Sequence, residues 1–353
     1  MSIKLGVLGM AHGHVNGYLQ QWEKHPDFGV TAAAVWDHDA GRLSQAADQH
    51  GLARCETAEA LLARAEIAAV VIAAETSRHA ALVEQAAAAG KAIILQKPMA
   101  LTLREADRIV RAVERHGVPF TLAWQMRADP QNRQMRAMIH SGQFGKIYSV
   151  RRRHGLACHL TPGFAQTWHV NPALNRDIWA DDAAHPIDLM HWMLGPPESI
   201  TAELTTAAND WMPNDNGVAV FRYPEGLLAE VFCSFTCVAA ENTTEIYAER
   251  GAIIQSFGDN PGTLAPRVEN QSGLKWYLAD EQQWTYSDIP SPAGHWERIL
   301  GLAQPLADFL NGRAAPLATA EEGRTSLQMV LATYVSSRQG RRVLLSDPDI
   351  AEV

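Results

Sequence analysis

The stretch Ile3-Lys4-Leu5-Gly6-Val7-Leu8-Gly9-Met10-Ala11-His12-Gly13-His14 decides the reading of this chain. Ile3–Leu8 is a short apolar run of the kind that makes a buried strand. It passes through glycines into His12–Lys24, which has helical spacing. A strand, a glycine turn and a helix N-terminus make an anion site, because backbone N–H groups and the helix dipole both point at a phosphate. Gly9 is placed to make the tight turn. The usual G-x-G-x-x-G is altered: Ala11 stands at the second glycine position, His14 at the third, and Gly13 one place early. A glycine turn also occurs in α/β proteins that bind no nucleotide, and the loop alone leaves both readings open. His12 and His14 either touch phosphate or cap the helix.

Working outward, Thr31–Trp36 reads as a second strand and Ala40–Gly51 as a helix. Ala69–Ala73 is a third strand, Ser77–Ala89 a helix stopping at Gly90, and Ala92–Leu95 a fourth strand. Leu103–His116 is a helix ending at Gly117, and Pro119–Ala123 a fifth strand. This alternation predicts a parallel, doubly wound sheet. Gly90 and Gly117 stand where left-handed helix caps are expected. The second strand ends in "AVWDHD", which puts Asp37 where an acid bonds the ribose 2′-OH of NAD and repels the 2′-phosphate of NADP. A helix-capping aspartate is the alternative, and Asp39 fills that place equally well.

After residue 124 the rhythm changes. Gln131–His140 is helical and Lys146–Arg153 a strand. Then Ile200–Ala207, Gly217–Tyr223, Leu227–Cys237, Thr243–Ala248 and Ala252–Phe257 follow as strands, with turns at "YPEG" (223–226) and "ERG" (249–251). Strands without intervening helices predict a mostly antiparallel sheet. Helices near Trp296–Asn311 and Ala320–Arg338 close the chain. The expected division is a Rossmann domain over 1–123 and an α+β domain over 124–353.

The chain has 353 residues, 47% apolar and 20% charged, with a formal charge of −9. That size suits two domains and excludes a disordered or fibrous chain. A net acidic chain gives no electrostatic reason to expect nucleic acid or an anionic membrane as partner. No apolar run approaches the roughly 20 residues that span a bilayer. No signal peptide opens the chain, and Cys55, Cys158, Cys233 and Cys237 fit no zinc or disulfide pattern, so a cytoplasmic location with reduced thiols is expected. His154, His159, His169 and His185 match no recognised metal spacing, and no metal is assigned.

Lys97 ends the fourth strand in "LQKP", and ligands gather outside the carboxyl ends of strands in open α/β sheets. A surface lysine snorkelling from a strand end would look the same in sequence. The stretch "VIAAETSRHAALVEQAAAAGKAIILQKPMA" (71–100) resembles the segment of the Gfo/Idh/MocA family (glucose–fructose oxidoreductase, inositol dehydrogenase, rhizopine catabolism) that ends in Glu-Lys-Pro. "MRAMIHSGQFGKIYSVRRR" (135–153), "DDAAHPIDLMHWMLG" (181–195) and "AEEGRTSLQMVLATYVSSRQGRRVLL" (320–345) are similar to that family in the same order. The segment 181–195 resembles its Asp-x-x-x-His-x-x-Asp helix. In three places the chain departs from the pattern. Gln96 replaces Glu, Glu75 stands where Pro is usual, and Asn175-Arg176-Asp177 replaces Gly-Gly-Gly.

The resemblance implies an N-terminal Rossmann domain, a C-terminal domain with a large open sheet often used for oligomerisation into dimers or tetramers, and an active site between them. It implies NAD-dependent hydride transfer at a hydroxyl of a sugar, cyclitol or related polyol. Lys97, Asp181 and His185 are the catalytic candidates. On a regular helix Asp181 and His185 share a face, with Asp188 continuing it, so Asp181 would orient His185 as base. Pro186 must lie in the first helical turn or kink the helix. A capped helix with a structural histidine is the alternative. Gly9, Met10, Ala11, His12, Gly13, His14, Asp37, Ala74, His79, Gln96 and Lys97 are the cofactor-binding candidates. Gln125, Arg127, Trp168, His169, Asn171 and Arg176 are the substrate-binding candidates. Two other functions compete: glycoside cleavage through transiently reduced NAD, and a dinucleotide-binding sensor without catalysis.

Overall fold

The computed structural model describes residues 2–256, 273–292 and 294–353. The chain divides into two compact units. Unit 1 holds the residues up to Ala128, with 173–175 and Ile299–Leu327. Unit 2 holds Asp129–Pro172, Arg176–Arg298 and Gln328–Val353. The first unit's opening stretch ends five residues beyond the boundary expected at 123.

In chain order the elements begin β1 (Ile3–Leu8), α1 (His14–Lys24), β2 (Val30–Trp36), α2 (Ala40–His50), β3 (Ala53–Arg54), α3 (Ala58–Leu62) and β4 (Ala69–Ile72). Then come α4 (His79–Ala88), β5 (Ala92–Leu95), α5 (Leu103–His116), β6 (Phe120–Leu122) and α6 (Gln125–Ala128). The six strands pair in parallel in the order β3-β2-β1-β4-β5-β6. The order reverses at β1, which makes the crevice beyond β1 and β4 the ligand-binding switch point of such a sheet. Val70, Val71, Ile72, Ile93, Ile94 and Leu95 are fully buried, as strands covered on both faces must be.

Local chemistry sets the ends. Thr102 caps α5 by accepting from Glu105 N, while Glu105 Oε2 accepts from Leu101 N. Gly117 closes the helix at φ +60°, and Gly90 turns at φ +68°. Asp39 caps α2 through Arg42 N, so the capping role belongs to Asp39 and leaves Asp37 for another. The return segment completes this unit's core. Ile299, Leu302, Ala303, Leu306 and Ala307 are fully buried in one cluster with Leu5, Val15 and Tyr18. Trp22 Nε1 donates to Ala303 O at 2.8 Å, and Leu122 N donates to Ala318 O at 3.0 Å.

The chain continues with α7 (Pro130–His140), β7 (Ile147–Gly155), α8 (Pro172–Asn175), α9 (Ala184–Leu194), β8 (Ser199–Thr205), β9 (Asn216–Arg222) and β10 (Leu228–Ser234). β11 (Thr243–Ala248), β12 (Gly251–Gln255), β13 (Leu274–Leu278) and β14 (Gln283–Tyr286) follow. α10 (His295–Leu300), α11 (Ala303–Leu310), α12 (Ala320–Gln339) and β15 (Val343–Leu344) end it. Among the described residues unit 2 is built on a nine-stranded sheet ordered β14-β13-β12-β11-β7-β10-β9-β8-β15. β7 and β10 pair in parallel and every other neighbour is antiparallel.

Two expectations are corrected. The helix expected over Trp296–Asn311 is two helices, because Gly301 interrupts it and Pro305 needs a first-turn position where its missing N–H costs nothing. The strand expected to reach Phe257 ends at Gln255, and Phe257 lies outside the described residues. Among the described residues no helix is long and apolar enough to cross a membrane.

Candidate functional site

The turn after β1 is built around Gly9. Its φ is +87°, and a Cβ there would lie 2.5 Å from Ala74 Cα, so both the conformation and the close approach require glycine. Gly9 N donates to Trp36 O at 2.7 Å, and His12 N donates to Ala73 O at 2.9 Å, which tie the turn to β2 and β4. Gly13 is the N-terminal cap of α1, with no side chain capping that end, and a Cβ there would meet nothing within 4 Å. The N-terminal cap of α1 thus carries no side chain of its own, and the glycine turn followed by a helix N-terminus is the arrangement that receives a diphosphate. The His12 and His14 rings meet edge-on at 4.3 Å. These residues fit a dinucleotide.

Asp37 is almost fully buried and heavily engaged. Oδ2 accepts from Met10 N at 2.7 Å and Arg42 Nε at 3.0 Å. Oδ1 accepts from Asp39 N at 2.8 Å and Arg42 Nη2 at 2.9 Å. The acid stands where the motif put it, holding the glycine turn by Met10. Arg42, which the sequence reading did not single out, shares it with Glu75 Oε1 at 2.8 Å. Burial works against the Arg42 charge, but the two carboxylates outweigh it and hold its pKa above the ordinary value.

Lys97 stands two residues beyond the end of β5 and is 3% exposed, which excludes the surface-lysine alternative. Its peptide to Pro98 is cis. Gln96 is wholly buried and donates from Nε2 to Tyr18 OH at 2.7 Å. Burial raises the Tyr18 phenol far above its ordinary pKa, despite the Gln96 bond, so a neutral amide meets a neutral phenol. His79, expected at the cofactor, is fully buried. Nδ1 lies 3.0 Å from Pro98 O and 3.3 Å from Met99 O, and Nε2 lies 3.1 Å from Ala74 O. It fastens the loop after β5 to the loop after β4, as a positioning residue. Burial pushes its pKa down to about 4, against the upward pull of those carbonyls.

Unit 2 carries a second cluster. Residues Trp179–Ala183 form a wide π-type turn that runs into α9, with Pro186 third in that helix. Pro186 has no N–H for the Asp182 carbonyl, and widening the preceding turn accommodates the ring. Acid–imidazole pairs gather around this turn. Asp181 Oδ2 lies 2.8 Å from His169 Nδ1, while Asp182 Oδ1 lies 3.6 Å from His185 Nε2. Asp182 Oδ2 also lies 3.4 Å from His154 Nε2. Burial lowers the His154 pKa and the Asp182 carboxylate opposes it. Asp181, His185, His154 and Asp188 are buried. The His169 ring stacks on Trp168 at 4.1 Å and on Phe164 at 5.9 Å. Asp182 and His154 were missed by sequence reasoning, although the doubled acid at 181–182 was the available signal. Among the described residues no group of three or more His, Cys, Asp or Glu side chains is arranged to hold a metal.

Arg127 is buried, with Nη1 on Leu317 O at 3.1 Å and Glu322 Oε2 at 2.9 Å. Gln125 is buried beside it in α6, while Asn171 is exposed. In the segment replacing three glycines, Asn175 is buried and accepts from Thr76 Oγ1. Arg176 takes a left-handed φ of +71°, a conformation glycine adopts freely. Its Nη2 donates to Val353 O at 3.0 Å and its guanidinium lies 5.5 Å over the Tyr334 ring. Asp177 accepts from Ala180 N, Asn214 Nδ2 and Tyr334 OH, and burial raises its pKa against those bonds. Arg176 and Asp177 therefore brace the entrance to the wide turn.

Residues 3–123 match the model of an oxidoreductase family with an NAD-binding Rossmann fold, and residues 132–254 match the GFO/IDH/MocA C-terminal domain. The chain belongs to the Gfo/Idh/MocA oxidoreductase family. Its unit 1 is an NAD-binding Rossmann domain. D-apiose dehydrogenase of Paraburkholderia graminis is 26% identical over 90% of this chain and 84% of its own length. Inositol 2-dehydrogenase 2 of Saccharopolyspora erythraea is 27% identical over 77% and 78%. In fold, this family member resembles a levoglucosan dehydrogenase solved with NADH and levoglucosan, with a TM-score of 0.84 over 98% of this chain and 100% of the other, at 18% identity.

Proposed function

We propose that this oxidoreductase transfers a hydride between NAD and a hydroxyl-bearing carbon of a sugar, cyclitol or related polyol. The observation that carries the reading is Lys97, buried at the carboxyl end of β5 in the NAD-binding sheet. A lysine held at the carboxyl end of a strand in such a sheet stands where ligands gather, and its charge there favours negative charge that develops in the transition state. NAD, when bound, supplies the hydride acceptor. Lys97 stabilises the alkoxide that forms as the hydroxyl proton leaves. His185 takes that proton, and Asp182 beside Nε2 favours the charged ring. Trp168, stacked with His169, offers an aromatic face for the C–H side of a sugar ring. The apiose and inositol dehydrogenases among its relatives support the substrate class.

The protein works in the cytoplasm with its four cysteines reduced, and as a homodimer or homotetramer through the open face of the nine-stranded sheet. Leu228, Phe232, Val220 and Tyr247 are exposed there and support that assignment.

The test is cofactor accounting across sugars, cyclitols and simple glycosides with excess NAD. One NADH per product is expected. Product in many-fold excess over NADH would mean the hydride is returned, as in redox-assisted glycoside cleavage. No product with any candidate, together with intact NAD binding, would leave a sensor.

A further inference from the structure

We propose that Glu75 is the residue that sets the preference for NAD over NADP, by holding Arg42 and Arg78 away from a ribose 2′-phosphate. The inference rests on unit 1 binding NAD at Asp37. An acid at the end of the second strand serves the 2′-OH of NAD, and a nearby arginine serves the 2′-phosphate of NADP. This chain has both. Arg42 bonds Asp37 through two nitrogens, so the acid alone does not explain a preference. Asp37 already accepts four hydrogen bonds, about all that a carboxylate's lone pairs allow. A ribose hydroxyl must take the place of Arg42 on Asp37, and the displaced guanidinium needs another anion.

Glu75 supplies it. Its side chain is 3% exposed and it stands directly after Ala74, the residue that packs on Gly9. Oε1 lies 2.8 Å from Arg42 Nη2 and 3.6 Å from His38 Nε2, and Oε2 lies 3.6 Å from Arg78 Nε. One buried carboxylate thus faces two guanidinium groups and an imidazole. Those three side chains are 30%, 42% and 31% exposed, so they reach solvent while their counter-ion does not. Asp37, His38, Ser77 and Arg78 line an open pocket of about 550 Å³ beside Thr57 and Trp36. With Glu75 present, two arginines balance two carboxylates. Without its charge, the ion-pair cluster of Arg42, Arg78 and Asp37 at the edge of this pocket, which Glu56 and Glu59 also line, is left with one more guanidinium than carboxylate, an arginine pair of the kind that binds phosphate.

The experiment measures Kd for NADH and NADPH by nucleotide fluorescence, with no substrate present. Glu75→Gln keeps an acceptor for Arg42 and removes the charge. It should tighten NADPH about tenfold relative to NADH. Adding Arg42→Ala and Arg78→Ala to Glu75→Gln should abolish that gain. Should Glu75→Gln fold poorly, Arg42→Ala in the wild-type background decides. It takes the guanidinium that Asp37 and Glu75 share, leaving Glu75 only Arg78 and His38, and should weaken NADPH about tenfold against NADH. An unmoved NADPH to NADH ratio in the variant that folds overturns the inference while NAD binding stands. A wild-type protein that binds neither nucleotide overturns both.

Discussion

His79 gives the sharpest quantitative prediction. Its ring is fully buried, and burial pushes its pKa down to about 4 from the ordinary 6.5. Between these values the unfolded chain binds the proton and the folded chain does not. Stability is therefore complete above about pH 6.5 and falls as pH drops toward 4. The shift of 2.5 units, 6.5 less 4, corresponds to about 3 kcal/mol in full, of which about 2 kcal/mol is lost by pH 5. His79→Gln removes the titration and keeps a donor for the Pro98 or Ala74 carbonyl. Urea unfolding at about pH 7.5 should find the variant less stable by about 1–2 kcal/mol, because one buried carbonyl contact is lost. At about pH 5 the gap should close or reverse, since only the wild type must release a histidine proton at this position on folding. A gap that stays constant between the two pH values would refute the argument, because every other titrating group is common to both proteins.

Lys97→Met should lower kcat about 100- to 1000-fold while the Kd for NADH moves less than about threefold, measured by steady-state turnover and nucleotide fluorescence. Near-normal turnover would remove Lys97 from the chemistry. Gly9→Ala places a Cβ 2.5 Å from Ala74 at φ +87°, and should cost at least about 2 kcal/mol of stability along with NADH binding. Gly13→Ala, which meets nothing within 4 Å, should stay within about 0.5 kcal/mol of wild type in the same unfolding assay.

The first sheet was legible because β4, β5 and β6 are runs buried on both faces and each long helix is punctuated. Asp39, Thr102, Gly90 and Gly117 fall where capping chemistry wants them. β3 has two residues and α3 five, too short for any period to show. β15 is likewise two residues, paired to β8 from far along the chain. The site was legible only in part. Lys97 and Asp37 were placed by strand ends, which sequence marks well. The pairing of Asp181 with His169 joins two elements 12 positions apart, which α-helical spacing cannot express, whereas Asp182 and His185 stand at an ordinary i,i+3 spacing. Arg127 was singled out because it follows a strand, but its bond to Glu322, 195 positions away, has no local signal in the sequence. Arg42 and Glu75 are 33 positions apart and meet only because β2 and β4 flank β1.

The segment that returns to unit 1 also sets a timetable for folding. Residues up to Ala128 leave the ribosome first, yet Ile299, Leu302, Ala303, Leu306 and Ala307 fill the core around α1. Roughly 170 residues separate the two pieces, which is about 10–35 s of synthesis. During that interval the nascent sheet carries all its strands but leaves an apolar flank of α1 uncovered. The dinucleotide domain is thus among the first parts made and among the last to close. A fragment cut at residue 128 would keep that unfinished state permanently, and one that carries residues 299–327 in addition would not.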